Sequence, residues 1–296
     1  MSTQHKTINI AVAGLGLLGG SLGLALADTG VNRIGWARRA NTRSAALEIG
    51  AVDETFPELE QVLAIADIVV LALPVPVIIE YMPFCARFGK KGAVITDIGS
   101  IKSEIITAAE KVFTSPDGPY FIGSHPMAGT EKSGISAAFS TLYRNADVFI
   151  TPTPPAPESA IVSLEKMWQS ISCNTSRIDA KSHDRLVAET SHALHVVASA
   201  LTLSILDNSD EEEKLSRFRG CATGFKDTSR IASSNPQMWR EIVEHNTPAV
   251  LEALELFEQS LDKYKQLLKD KDYDGFEENF TKGKALRDSW LKYKDY

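Results

Sequence analysis

A doubly wound α/β domain followed by an all-helical domain is the fold class this sequence predicts. Three observations lead to it. Short apolar runs alternate with helix-like stretches up to about residue 178, a glycine-rich turn closes the first of those runs, and no strand-like run follows from about Asp179 onward. Strand–helix alternation implies crossover connections, which make the sheet mostly parallel.

The elements follow in order. Thr7–Gly14 (TINIAVAG) reads as a buried strand ending in glycine, and Leu17–Asp28 as a helix. Ile34–Arg38 has strand character and Thr42–Ile49 helical character. Asp67–Pro74 (DIVVLALP) is nearly continuous apolar sequence, the pattern of a parallel strand covered on both faces. Val94–Gly99, Tyr120–Gly123 and Asp147–Thr151 give further strands. The character changes after Thr151–Pro157 and the helix-like Glu158–Ile171. Ala180–Leu206 then reads as one long helix, Met238–Leu268 as a second and Tyr273–Tyr293 as a third. The charge run Asp207–Lys214 (DNSDEEEK) reads as a solvated loop. The expected division is 1–178 for a dinucleotide-binding domain and 179–296 for a helical domain.

Composition narrows the function. The chain has 296 residues, 44% hydrophobic and 23% charged, with a net charge of −7 and a pI near 5.5. An acidic balance argues against nucleic acid and anionic membrane as partners. Cys85, Cys173 and Cys221 are far apart and form no CxxC pair, so neither a disulfide framework nor a zinc site is expected and a reducing compartment is favoured. They read as buried small hydrophobes. Met1–Asn9 is polar without a secretory core, and apolar runs such as Ile68–Leu73 are too short to span a bilayer. Cytoplasm is the expected location.

Gly14-Leu15-Gly16-Leu17-Leu18-Gly19 follows the first strand and opens a helix. The first glycine permits the tight turn, the second a close approach to a pyrophosphate, and the third close helix–strand packing. The helix start offers unpaired N–H groups to the phosphates. At the end of the second strand, Gly35-Trp-Ala-Arg-Arg39 places alanine where an acid would bind the ribose 2′-OH of NAD. Arg38 and Arg39 can pair with a 2′-phosphate instead, so NADP is the expected cofactor, with NAD possible. The alternative is that both arginines are simply solvated.

Gly123-Ser-His-Pro-Met-Ala-Gly-Thr-Glu-Lys-Ser-Gly134 reads as a loop punctuated by glycine and proline, with His125 free to meet a ligand. A hydride acceptor near a free imidazole suggests a dehydrogenase that needs a base. His192 and His195 lie three apart and share a helix face, but there is no HExxH and no evident third ligand, so no metal is expected.

Together with GLGLLGGSLGLAL (14–26), DIGSIK (97–102), HDRLVAETSHALHVVASAL (183–201) and GFKDTSRIASSNPQMWREI (224–242), that segment resembles the prephenate and arogenate dehydrogenases of tyrosine biosynthesis. The resemblance implies a Rossmann-type domain, a helical domain forming a homodimer, and oxidative decarboxylation of a small cyclohexadienyl substrate. His125 matches the family's catalytic histidine, and Ser100 a serine that holds the hydroxyl or the histidine. Ser100 can also be read as the N-cap of a helix from Ile101. Arg230 matches the substrate-binding arginine and His195 a pocket residue. Thr130, Glu131, Lys226 and Asp227 are expected to line the same pocket, and Trp239 to be gate or core. Family members commonly carry a proline in the stretch reading Ser191-His-Ala-Leu-His195 here, and its lack predicts a locally straighter helix. A neutral His125 predicts kcat falling on acidification near pH 6.5 unless its surroundings shift it. No fused mutase or regulatory domain is expected.

Other readings stay open. A relative acting on 4-amino-4-deoxyprephenate would present an amino group to His125. A β-hydroxyacid dehydrogenase would use a helix lysine, of which Lys181 is the one on offer. A non-catalytic NADP sensor would have no use for His125, Ser100 and Arg230 together. Glu131 or Asp227 near a substrate ammonium would favour arogenate over prephenate.

Overall fold

The computed structural model describes residues 7–130 and 132–294. Its first part runs β1 (Asn9–Ala13), α1 (Leu17–Ala25), β2 (Asn32–Trp36), α2 (Ala40–Glu48), β3 (Glu54–Phe56), α3 (Leu59–Ile65), β4 (Ile68–Leu71), α4 (Val75–Phe88), β5 (Val94–Asp97) and α5 (Ser103–Glu110). It continues through β6 (Tyr120–Pro126), β7 (Asp147–Pro152), α6 (Glu158–Ser170) and β8 (Asn174–Arg177). The eight strands form one sheet in the order β3-β2-β1-β4-β5-β6-β7-β8. Every pairing is parallel except β6 with β7. The strand order reverses between β1 and β4, which leaves a crevice at the carboxyl ends where α/β sheets take their ligands.

Both faces of the sheet are covered, as the apolar strands require. Ile10, Val12 and Val70 point to one side, against Leu22 of α1, Leu26 just after it, and Leu164 and Trp168 of α6. Ala11, Ala13, Val69 and Leu71 point to the other, against Val62 and Leu63 of α3, Ile78 and Met82 of α4, and Ile105 of α5. Each valine, leucine, isoleucine or methionine among them contributes about 1.5–3 kcal/mol when fully buried.

The second part is helical among the described residues: α7 (Ala180–Val187), a π-helical turn (Ala188–His192), α8 (Ala193–Leu206), α9 (Glu211–Gly220), α10 (Thr223–Ser229), a 3-10 turn (Arg230–Ser233), α11 (Pro236–His245), α12 (Thr247–Asp270) and α13 (Tyr273–Lys294). Its apolar cluster is small, built on Ala188, Ala193, Val250 and Ala253. Leu251, Leu256, Phe257 and Leu261 of α12 and Phe280 and Trp290 of α13 stay exposed.

Several expectations need correction. The strand from Tyr120 runs on to Pro126, so His125 lies within the sheet and not on a free loop. Ala180–Leu206 is one run interrupted by the π turn, so the missing proline does not give a straight α-helix. Met238–Leu268 is two helices divided at Asn246. The first begins at Pro236, where the Asn235 side chain caps Gln237 and Met238. Only part of Asp207–Lys214 is loop: Asp210 caps α9, whose first turn holds three glutamates favoured there by the helix dipole. β3 and β8 are short, with little buried side chain and hence no apolar run to announce them. Cys85 and Cys173 are buried, whereas Cys221 is partly exposed. The helical run 180–206 is also long and apolar enough to cross a bilayer by length and composition alone, with a mean hydropathy of 1.2. It carries His183, Asp184, His192 and His195 into the site described next, although only 28% of its most apolar window is buried.

Candidate active site

The glycine turn sits at the crevice. Gly14 has φ +106, and a Cβ there would meet the Ala72 carbonyl oxygen at 2.2 Å. A Cβ on Gly19 would lie 1.9 Å from the Gly14 oxygen, whereas Gly16 faces open space. Leu15 and Leu17 are buried and Leu18 half-buried, so what they offer a ligand is main-chain N–H. Gly16 begins α1 without any side-chain cap. Free N–H groups beside an open glycine therefore form a cradle that fits a pyrophosphate. Beside it, a cleft of about 190 Å³ is lined by Gly14, Ala37, Arg38, Arg39, Thr42 and Tyr81, among others. Arg38 and Arg39 are exposed. Arg43 donates to the Ala37 oxygen at 2.6 Å and so braces the loop that carries them.

His125 projects from β6 and is 9% exposed. Its Nδ1 lies 2.9 Å from Nε2 of His183, and Nδ1 of His183 lies 2.8 Å from Oδ1 of Asp184. A carboxylate can only accept, so His183 donates through Nδ1 and accepts through Nε2. His125 must then donate through Nδ1, which leaves its Nε2 with an unprotonated lone pair. Burial, and after it the charges of His183, Lys102 and His192, holds the His125 imidazole well below the usual 6.5. Burial likewise lowers His183 despite its bond to Asp184.

Asp184 has a second task. Its Oδ1 accepts from the amide of Lys102 at 2.6 Å and its Oδ2 from that of Ser103 at 2.8 Å. A carboxylate from α7 thus caps α5. The expectation that Ser100 caps a helix from Ile101 is corrected: the helix starts at Ser103. Ser100 is half-buried in the turn after β5.

The helical part supplies the remaining side chains. Asn246, buried in the break between α11 and α12, donates to the Asp184 carbonyl at 2.8 Å and faces Nδ1 of His192 at 3.2 Å. Burial takes His192 down to about 4. His195 stacks on Trp239 and donates through Nδ1 to the Ser191 carbonyl at 3.0 Å. Burial lowers His195, the Ser191 carbonyl opposes this, and the nearby Arg230 charge lowers it further. Arg230 is exposed at the start of the 3-10 turn, which packs on α8, as does α10. Lys226 and Asp227 are exposed on α10. Thr130 is half-buried beyond β6, and Glu131 lies outside the described residues.

The structure thus joins His125 to the histidines of the helical part, and His195 to Arg230. Sequence reasoning gave no role to His183 or Asp184, which stand together at the head of HDRLVAETSHALH. A histidine and an acid side by side at a helix start was the signal on offer. Among the described residues no cluster of three or more His, Cys, Asp or Glu is placed to hold a metal ion.

Residues 22–176 match the family described as prephenate dehydrogenase, nucleotide-binding domain, and residues 179–282 that described as prephenate dehydrogenase, dimerization domain. The chain is 30% identical to the cyclohexadienyl dehydrogenase of Zymomonas mobilis over 94% of each chain. A crystal structure of prephenate dehydrogenase from Aquifex aeolicus, in complex with hydroxyphenyl propionate and NAD+, superposes with a TM-score of 0.86 at 30% identity. That match covers 96% of this chain and 99% of the other. Synechocystis arogenate dehydrogenase gives 0.84 at 28% identity, covering 96% and 100%.

Proposed function

The chain belongs to the prephenate dehydrogenase family, and on that premise we propose that it carries out the NADP-linked oxidative decarboxylation of arogenate, prephenate or both in tyrosine synthesis. The observation that carries this reading is the His125–His183–Asp184 chain, which leaves one imidazole nitrogen free to take a proton. A nicotinamide bound in the cleft would supply the acceptor for the hydride leaving ring C4 of the substrate. His125 Nε2 takes the proton of the C4 hydroxyl, and Ser100 holds that hydroxyl or the imidazole. The positive charge gained by His125 is met through His183 by the Asp184 carboxylate, as in other histidine–acid chains. Arg230 pairs with a substrate carboxylate, and His195 and Thr130 complete the pocket. Lys226, Asp227 and Glu131 stand as candidates for the substrate side chain. As the ring carboxylate leaves as CO₂, its bonding pair passes through the ring to the C4 oxygen, which takes the proton back from His125; the ring becomes aromatic, which makes the step effectively irreversible.

Support for NADP comes from the cleft beside Gly14, where Arg38 and Arg39 meet no carboxylate among the residues lining it. The main-chain N–H groups from Leu15 to Gly19 would hold the pyrophosphate, with Gly14, whose own N–H donates to the Trp36 carbonyl at 2.8 Å, shaping the turn. An acid such as Asp227 near a substrate ammonium favours arogenate. The exposed apolar faces of α12 and α13 support a homodimer, with the division of the chain near residue 178. Cysteine usage supports the cytoplasm. No membrane or nucleic-acid partner belongs to this reading.

Initial rates with prephenate or arogenate, each with NAD or NADP, test it. Turnover with NADP well above NAD on either substrate is the expected result. Silence with all four pairs, while NADP still binds, would refute the substrate assignment.

A further inference from the structure

The buried ion pair of Asp97 and Lys102 has no part in the steps above. Both side chains are fully buried and in direct contact. Burying such a pair gains little stability over apolar residues of the same shape, so its presence asks for another reason. Asp97 ends β5, and its carboxylate reaches two ways. Oδ2 accepts the amide of Gly99 at 2.8 Å, and Oδ1 accepts the amide of Ser124 at 3.2 Å. Gly99 directly precedes Ser100, and Ser124 directly precedes His125. The register of β5 with β6 covers Val94↔Tyr120 and Ile95↔Phe121. Beyond that ladder, the Asp97 side chain bridges the two segments. Ser124 Oγ reinforces the bridge by donating to the Asp97 carbonyl at 2.6 Å and meeting Thr96 Oγ1 at 3.0 Å.

We propose that Asp97 is a positioning residue whose carboxylate clamps the Gly99–Ser100 turn to the Ser124–His125 strand, so that hydroxyl and imidazole converge, with Lys102 as its counter-ion. This rests on the dehydrogenase reading in so far as Ser100 and His125 act on one hydroxyl. An asparagine at 97 can accept only one of the two amides and turns its NH₂ toward the other. A small displacement of the reacting pair then slows the chemical step without loosening the ligands.

The test compares wild type, Asp97→Asn and the charge-balanced Asp97→Asn/Lys102→Met. The double variant buries no unpaired charge and is expected to fold even where the single one does not. The expected result is kcat lower by about ten- to a hundredfold in both, KM for cofactor and substrate within about threefold, and Tm little changed in the double variant. A folded variant with kcat within twofold of wild type overturns the clamp, and so does a rise in KM with kcat unchanged. A second readout needs no turnover. His125 is faced by His183 from α7, His192 from the π turn, and Lys102, all of which oppose its protonation. In both variants the ¹³C-histidine NMR resonance of neutral His125 should shift as the ring moves against His183. If the wild type turned over neither substrate, the function reading would fall while this readout still decided the clamp. Unchanged His125 signals in both variants would reject it.

Discussion

The imidazole of His195 lies nearly flat on the indole of Trp239, with ring centroids 3.7 Å apart and planes inclined by 24°. Since Nδ1 of His195 is held by the Ser191 carbonyl, Nε2 is the polar atom left to face a ligand. Trp239 fixes the plane in which it points. Replacing Trp239 by leucine keeps an apolar side chain but removes the stack, worth about 0.5–1.5 kcal/mol for ring pairs. The expected outcome is a substrate KM raised about three- to tenfold with cofactor KM unchanged, read from steady-state kinetics.

His183→Gln removes the group that assigns the tautomer of His125. By analogy with other histidine–acid chains, kcat should fall by about a hundredfold or more while cofactor binding persists. Fluorescence titration with NADPH beside single-turnover rates separates the two. A kcat within threefold of wild type would remove His183 from the proton path.

Acidification has a defined sign here. His125 must be neutral to act, and its surroundings hold it well below 6.5. The acid limb of kcat should therefore lie below pH 6.5, a correction to the value expected from an unperturbed histidine. Stability should fall in the same direction. A histidine lowered in the folded state binds fewer protons than in the unfolded one, so its contribution is complete above about pH 6.5 and is lost as pH drops through the folded value. For His192, taken to about 4, the loss amounts to ~3 kcal/mol. Thermal melts between pH 7 and pH 4 should show Tm decreasing across that window.

Arg38→Ser/Arg39→Ser removes both guanidinium groups beside the cleft. KM for NADP should rise about a hundredfold, and KM for NAD should change by less than about threefold, since a 2′-phosphate alone would use the arginines. Equal losses on both cofactors would assign the arginines to the shared part of the molecule.

The sheet was readable because its inner strands are nearly unbroken aliphatic runs, as Ile68–Leu71 shows. The first helix was readable because Gly14 and Gly19 leave no room for a Cβ. His125 was legible by its neighbours in sequence, yet its setting was misjudged. Gly123 and Pro126 suggested a loop, whereas in the fold Gly123 leaves room for Lys102 and Thr151 against the strand. Asp97, His183 and Asp184 were hidden for another reason. Asp184 bonds to Lys102 82 positions away, His183 to His125 58 positions away, and Asp97 to Ser124 27 positions away. Local pattern carries no trace of such distant partners.

Asp184 belongs to the helical part, yet it closes the amino end of α5 in the sheet part. Asn246 then closes the Asp184 carbonyl in turn. Cut from the rest, the sheet part would present α5 with exposed, unanswered amides at its first turn, at a cost of about 1 kcal/mol or more. The point where the chain changes architecture is therefore not a seam along which it comes apart. Heat or denaturant should dissolve both parts in a single cooperative event, and hydrogen exchange in α5 should report the loss of helices that follow it by more than seventy residues.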